Sequence, residues 1–259
     1  MNCFIESINY SPVKSLSFQS AQSCNVKKNL GILNDRIFAF SRGVDLEKAI
    51  SMEKNPSERK LNHLLTLKNS PVLNKYNFSY NNNELSLNIN NKELIKISSD
   101  ITEERSKLSD KLLELESSLI KPITLLKNSE FPFFDTSSSN NIFNSISLIN
   151  INSVKDFEKK INEKIEFQRF RGNFYVGGIE AWKEREWINK IIKINNIAFK
   201  VEKNIPRCVA INLKPKTDDN SLNLLQSLKK TFDHFDMGIY LTALEDGEIS
   251  VGNKIEVNK

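Results

Sequence analysis

Gln168-Arg-Phe-Arg-Gly-Asn-Phe-Tyr-Val-Gly-Gly178, then Ala181-Trp-Lys-Glu-Arg-Glu-Trp187, then Val201-Glu-Lys-Asn-Ile-Pro-Arg-Cys-Val-Ala-Ile-Asn212 is the stretch on which the reading of this chain turns. In its last part an apolar, strand-like approach ends at Pro206, Arg207 and Cys208 follow, and a further apolar strand over 206–212 is expected. A fixed positive charge beside a thiol at a strand-to-loop edge favours the thiolate, which is a usable nucleophile or soft-metal ligand. The competing reading of Cys208 is a buried cysteine acting as a small hydrophobe. In the first part Arg171 and Asn173 read as strand residues. Arg171 alternates with Phe170 and so can equally face water. Gly177-Gly178 lies in no GxGxxG or Gly-Lys-Ser/Thr frame and reads as a turn, and Trp182 and Trp187 read as packing residues.

Outward from that stretch, the N-terminal part offers Tyr10-Ser-Pro-Val-Lys-Ser15 and Asn34-Asp-Arg-Ile-Phe38, and the C-terminal part Gly247-Glu-Ile-Ser-Val-Gly-Asn-Lys-Ile-Glu-Val257. Lys14 and Ser15 sit on a turn after a proline, and Arg36 follows Asp35 at a strand start. Lys14 also reads as a solvated surface lysine, and Arg36 as a partner of Asp35 or Glu6. Asp135-Thr-Ser-Ser-Ser-Asn-Asn141 is polar, small and nearly uncharged. It reads as a loop in which Thr136 and Ser137 are either ordinary polar residues or hydroxyl donors.

Taken in order, these pieces resemble the MOSC family, the domain named after the C-terminal part of molybdenum cofactor sulfurase, together with its associated N-terminal β-barrel domain. The resemblance covers nearly the whole chain, with a weak middle. It implies two domains, an N-terminal β-barrel-like domain over 1–125 and a MOSC-type β-barrel domain with a few helices over 126–259. In members of the amidoxime-reducing type the matching positions surround the phosphate and pterin of a molybdenum cofactor. Carried over residue by residue, the resemblance makes Cys208 the molybdenum ligand and catalytic residue. Lys14, Ser15, Arg36, Thr136, Ser137, Arg171, Asn173 and Arg207 become cofactor-binding residues. A phosphate dianion favours Arg forks, Lys point charges and hydroxyl donors, so the residue types suit the task. The chain departs from the family pattern at Gly172, where proline is usual. Ile205-Pro-Arg-Cys208 lacks the usual earlier cysteine, Asn212-Leu-Lys-Pro215 replaces Asp-Pro, and the Thr-Ser loop continues as Ser-Ser-Asn-Asn.

The implied function is a molybdenum-dependent oxidoreductase that reduces N-hydroxylated compounds such as amidoximes and hydroxylamines. The three cysteines, Cys3, Cys24 and Cys208, cannot ligate an iron–sulfur cluster alone, and no flavin or nicotinamide fingerprint is present. A separate ferredoxin-like or reductase electron donor is therefore implied. Two alternatives stay open. One is a sulfur carrier or cofactor-binding module without turnover of its own. The other is a structural relative with Cys208 buried and no cofactor.

Composition excludes other classes. The chain of 259 residues is long enough for one large or two small cores. Its net charge of +5 comes with no block of five basic residues, so no nucleic-acid footprint is expected. An odd cysteine count without paired spacing argues against a disulfide framework or a cysteine zinc site, and His63 and His234 have no ligand-like spacing. No G-x-S-x-G elbow accompanies Ser145 to Ser153. No run of about 18 apolar residues and no signal-peptide pattern occurs, so a cytoplasmic protein without a membrane span is expected.

Local patterning predicts a β-rich α+β fold, barrel-like, with few helices. Strands are expected over 2–10, 16–27, 37–41, 92–98, 142–151, 165–177, 191–202, 239–244 and 248–257. A hairpin is expected over 77–89 about Asn81-Asn-Asn83. Leu108, Leu112, Leu115 and Leu119 recur at helical spacing and predict an amphipathic helix over 101–119. Shorter helices are expected near 58–67, 153–161 (capped by Asn152 or Ser153, with Ser153-x-x-Asp156 as a capping box), 180–190 and 222–232.

Overall fold

The computed structural model describes residues 3–134 and 146–257. In chain order the elements are β1 (Phe4–Tyr10), β2 (Gln19–Ala21), β3 (Ser23–Lys27), β4 (Gly31–Ile32), β5 (Phe38–Phe40), α1 (Leu46–Lys54), β6 (Asn77–Asn81), β7 (Glu84–Ile89), β8 (Lys92–Ser98), α2 (Thr102–Leu115) and β9 (Leu125–Lys127). They continue with β10 (Ile146–Asn150), α3 (Ile151–Ile161), β11 (Phe174–Gly177), β12 (Ile191–Ile194), β13 (Ile197–Pro206), α4 (Leu224–Phe232), β14 (Asp236–Ala243), β15 (Gly247–Ser250) and β16 (Ile255–Val257). The fold is mixed α+β and strand-rich.

The main sheet has eight strands in the order β16-β12-β13-β14-β10-β11-β1-β2, mostly antiparallel with β10 and β11 parallel. Its outer strands, β16 and β2, do not pair with each other, and among the described residues none of the four sheets closes on itself. Strands from both sides of the 125/126 division share this sheet, because β1 pairs with β11, and β3 pairs with β15 across the same division in a separate three-stranded sheet.

Period-2 alternation gives the sheet two apolar faces. Leu148, Phe174, Val176, Ile239 and Leu241 point into one core with Ile5, Ile8, Phe199 and Val201. Ile149 and Tyr175 point to the other face, joined by Met237 where the left-handed Gly238 breaks the alternation of β14, and Val154 and Phe157 of α3 and Leu224 and Leu228 of α4 cover them. Asn150 caps α3 by accepting from the Asn152 N–H at 3.0 Å, two or three residues before the expected cap. Ser153 instead bonds the buried Glu184 carboxylate at 2.8 Å, and Asp156 accepts from Trp182 Nε1 at 2.7 Å, so the capping box does not form.

The segment 38–127 builds a separate layer. Its core joins Phe38, Phe40, Phe78, Leu85 and Leu125 to Leu108 and Leu112 of α2. The α2 helix stops at Leu115 because the C-cap Glu116 leaves helical geometry. Leu119, although buried, therefore packs from the following turn rather than from the helix.

Candidate functional site

Five segments surround a cleft of about 650 Å³: the turn after β1, the turn before β5, the turn before β11, the end of β13 and the turn after it, and residues 61–69 of the separate layer; Ser147 of β10 and Tyr240 of β14 also line it. Lys14, Ser15, Arg36, Arg171, Arg207 and Cys208 all border it. Asn173 does not, and Thr136 and Ser137 lie outside the described residues.

Each cation is held by identifiable bonds. Lys14 is buried, and its Nζ donates to the Phe133 carbonyl at 2.9 Å. Phe133 is fixed in turn by Arg59, whose guanidinium lies 4.0 Å from the Phe133 ring centre and whose Nε donates to the Met52 carbonyl at 2.8 Å. Burial pulls Arg59 down to about 10. Ser15 and Arg36 both take left-handed backbone, with φ 59° and 56°, an unusual conformation for residues with a Cβ. Ser15 turns the chain directly after Lys14. At Arg36, the N–H donates to the Ser11 carbonyl at 2.6 Å, closing the loop onto the end of β1.

Arg36 pairs with Asp35, which is completely buried. Burial raises the Asp35 carboxyl above its ordinary range, against the opposing pull of Arg36, the Ser11 N–H and Asn173. The guanidinium carbons of Arg36 and Arg171 lie 5.8 and 4.7 Å from the centre of the Phe18 ring, within cation–π range. The aromatic ring brings two cations into one place.

Arg171 was expected on a strand. It instead ends a 3-10 turn, Phe167–Phe170, in the left-handed region with φ 52°. One of its amino groups donates to the Leu16 carbonyl. The chain reverses here because Gly172 is enclosed: a Cβ on it would meet Ile149 Cγ1 at 2.5 Å, and its N–H donates to the Tyr175 hydroxyl at 2.9 Å. Proline would lose that bond, which gives a physical reason for glycine at this position. Burial pushes the Tyr175 phenol up to about 12, so it stays protonated and passes its own hydrogen to the Phe167 carbonyl at 3.1 Å.

Asn173 is fully buried and its side chain is spent inside the protein. Oδ1 accepts from the Ser147 N–H at 3.0 Å and from the Ser147 hydroxyl at 2.8 Å. Nδ2 donates to the Asn9 carbonyl at 3.1 Å and to Asp35 Oδ2 at 3.0 Å. It therefore locks three segments together beneath the cleft.

Arg207 is half-buried, and burial lowers its pKa from the usual arginine value. Nε donates to the Met237 carbonyl at 2.8 Å and Nη1 to the Phe170 carbonyl at 2.7 Å. It ties the end of β13 to β14 and to the turn that carries Arg171, and leaves Cys208 at the rim. The strand expected over 206–212 ends at Pro206, and Val209–Asn212 forms a 3-10 turn. Cys208 is exposed, whereas Cys3 and Cys24 are buried, so the small-hydrophobe reading fits those two and not Cys208.

The sequence reading missed the opposite wall, residues 61–69, and also Arg169 and Tyr240. The 61–69 wall is rigid: Asn69 Oδ1 accepts from the Thr66 N–H, and Asn69 Nδ2 donates to the Leu64 carbonyl, each at 2.9 Å. Arg169 was in view two residues before Arg171. Its signal was the repeated arginine in Arg169-Phe-Arg171. Among the described residues no three His, Cys, Asp or Glu side chains converge to hold a metal, and no helix is long and apolar enough to cross a membrane.

The crystal structure of the YUAD protein of Bacillus subtilis aligns over 99% of this chain and 96% of its own, with TM-score 0.48 and 11% identity. YiiM of Geobacillus stearothermophilus aligns over 44% of this chain and 54% of its own, with TM-score 0.35 and 14% identity. YiiM of Escherichia coli covers the same shares at TM-score 0.35 and 12% identity. No curated protein matches the chain. Residues 138–256, which carry Arg171, Asn173, Arg207 and Cys208, match the model of the MOSC domain family.

Proposed function

We propose that the cleft binds a molybdenum cofactor and that the chain is a molybdenum-dependent reductase of N-hydroxylated compounds, of the amidoxime-reducing type with an N-terminal MOSC-associated barrel. The observation that carries this reading is the meeting of an exposed thiol, Cys208, with Lys14, Arg36, Arg171 and Arg207 around one cleft. MOSC domains are associated with molybdenum cofactor binding, and the match covers the Cys208 half of the cleft.

The donor set fits the group. A thiolate is a soft ligand suited to a metal already bound by dithiolene sulfurs. Lys14, Arg36 and Arg171 would take the cofactor phosphate, with Ser15, Thr136 and Ser137 as hydroxyl donors. When bound, the cofactor would supply two-electron reduction, with two protons, of an N–OH group to N–H and water. Cys208 would hold the metal at the rim, where substrate has access. Arg207 would favour the thiolate while bracing the Pro206–Cys208 turn. Asn173 acts as a positioning residue, since its hydrogen bonds fix Asp35 and hence Arg36. Electrons would come from a ferredoxin-like or reductase partner in the cytoplasm.

The exposure of Cys208 also favours a second reading, a sulfur carrier in which the thiol holds a persulfide or the cleft holds cofactor without turnover. Metal and pterin analysis of wild type beside Cys208→Ala, from a cofactor-competent, molybdate-fed host, separates the two. Near-stoichiometric molybdenum lost in the variant, with wild-type turnover of an amidoxime under artificial reductant, supports the reductase. Cofactor without turnover supports the carrier or binding module, and absence of both metal and pterin from wild type refutes the cofactor reading.

A further inference from the structure

A second chamber of about 420 Å³ adjoins the cleft on the far side of Arg171. Leu67, Arg169, Arg171 and Ala210 border both. Its charged lining is Arg169, Arg171, Lys214, Lys216 and Glu166. The single carboxylate is already committed. Glu166 Oε2 accepts from Arg169 Nε at 2.7 Å, and Oε1 lies 3.6 Å from Lys214 Nζ. Against burial, those partners hold the Glu166 carboxyl below its ordinary range.

Arg169 is only 3% exposed. Its Nη1 donates to the Asn212 carbonyl at 2.7 Å, but among the described residues its Nη2 has no hydrogen-bond partner. A buried guanidinium is costly unless its donors are used, and this one borders an open, basic chamber. The facing wall is fixed, not loose. Asn74 Nδ2 donates to the carbonyls of Lys214 and Thr217 at 2.6 and 2.8 Å, which holds the loop carrying Lys214 and Lys216 against the N-terminal layer.

We propose that this chamber is a phosphate subsite, in which Arg169 Nη2, Arg171, Lys214 and Lys216 take a phosphate group lying beyond the one held near Lys14 and Arg36. Two sources share that chemistry: a nucleotide arm on the cofactor, or a phosphorylated small molecule that enters beside it. The first source rests on the cofactor reading; the subsite itself does not.

The test is titration of the purified full chain with pyrophosphate and with cytidine and guanosine monophosphates, followed by calorimetry and amide NMR. Lys214→Gln/Lys216→Gln is the main variant, because both lysine side chains reach solvent. Affinity should fall at least ~10-fold, as expected when charge-assisted bonds of ~1.5–3 kcal/mol are lost. Arg169→Gln should abolish binding, provided its melting curve shows a folded protein. Phosphate affinity unchanged in the lysine pair but weakened by Arg36→Gln would place the ligand in the first cleft and overturn the proposal. No binding by wild type would overturn it as well. Given lysine-dependent binding, the cofactor extracted from loaded protein assigns the source: a pterin with a nucleotide points to the cofactor arm, a pterin without one to a phosphorylated small molecule. Lysine-dependent binding in a chain that takes up no pterin would leave the subsite standing and remove the cofactor reading.

Discussion

Replacing Asn173 by alanine tests whether this residue braces the cleft or contacts a ligand. The substitution deletes four hydrogen bonds, two to Ser147, one to the Asn9 carbonyl and one to Asp35. A buried polar group left unpaired costs ~1–3 kcal/mol, and one bonded to a charged partner stands at the upper end. The Ser147 hydroxyl can turn elsewhere, so the Ser147 N–H, the Asn9 carbonyl and Asp35 carry most of the loss. Together they give about 3–5 kcal/mol, a large part of the ~5–15 kcal/mol that holds a typical protein folded. At ~2–4 °C per kcal/mol for a chain of this size, the melting temperature should drop by about 6–20 °C. Urea unfolding followed by the fluorescence of the buried Trp187 gives the free energy directly. Asn173→Asp adds a partner of the same charge as Asp35. Burial already raises the Asp35 carboxyl, so the stability tied to this acid is fully present below its ordinary value and is lost as pH rises through the raised one. The aspartate variant should thus be less stable than the alanine variant at pH 7, with the gap closing on acidification. A loss under ~1 kcal/mol for Asn173→Ala, with cofactor content falling all the same, would refute the bracing argument and return Asn173 to the ligand-contact role the resemblance implies.

Three further outcomes are expected. At pH 8 a thiol reagent should label one cysteine of the native protein, Cys208, and three after denaturation. Burial pushes Cys3 and Cys24 up to about 12, so their stabilising protonation is complete below about 9 and lost only as pH rises through about 12. Gly172→Pro should destabilise by roughly 2–4 kcal/mol in urea, combining overpacking against Ile149 with the lost bond to Tyr175; Tyr175→Phe should give about 1–3 kcal/mol without overpacking, through loss of that bond and of the one to the Phe167 carbonyl. Arg207→Lys should lower the melting temperature and the retained molybdenum together, because an ammonium cannot reach the Met237 and Phe170 carbonyls at once.

The sequence exposed those features that depend on near neighbours. The 77–89 hairpin, the α2 stripe through Leu108 and Leu112, and the α4 segment follow from local spacing and are present in the fold. The Arg207-Cys208 pair was legible as chemistry because both residues sit at the end of one strand. Arg171 was misplaced because its left-handed backbone is set by Tyr175 and Ile149, whose approach to Gly172 has no local pattern. The task of Asn173 was hidden for a similar reason: its partners Asn9 and Asp35 lie 164 and 138 residues away. Residues 61–69 carry no sequence mark of a binding wall. Their place follows from the Leu65 N–H donating to the Phe40 carbonyl at 2.9 Å, which only the assembled layer provides.

The position of β1 between β11 and β2 has a consequence for how the molecule is made. Phe4 pairs with Gly177, so β1, once it has left the ribosome, waits for a partner about 170 residues behind it, a delay of roughly 9–35 s at ~5–20 residues per second. During that time β1 carries an unpaired edge, and the turn bearing Lys14 and Ser15 has no sheet to rest on. The basic half of the cleft is therefore assembled late, when β11 docks, and the thiol half later still, when β13 and β14 join the sheet. A nascent chain halted before residue 177 would expose an apolar strand of the kind chaperones hold, and it could not yet bind an anion at the finished cleft.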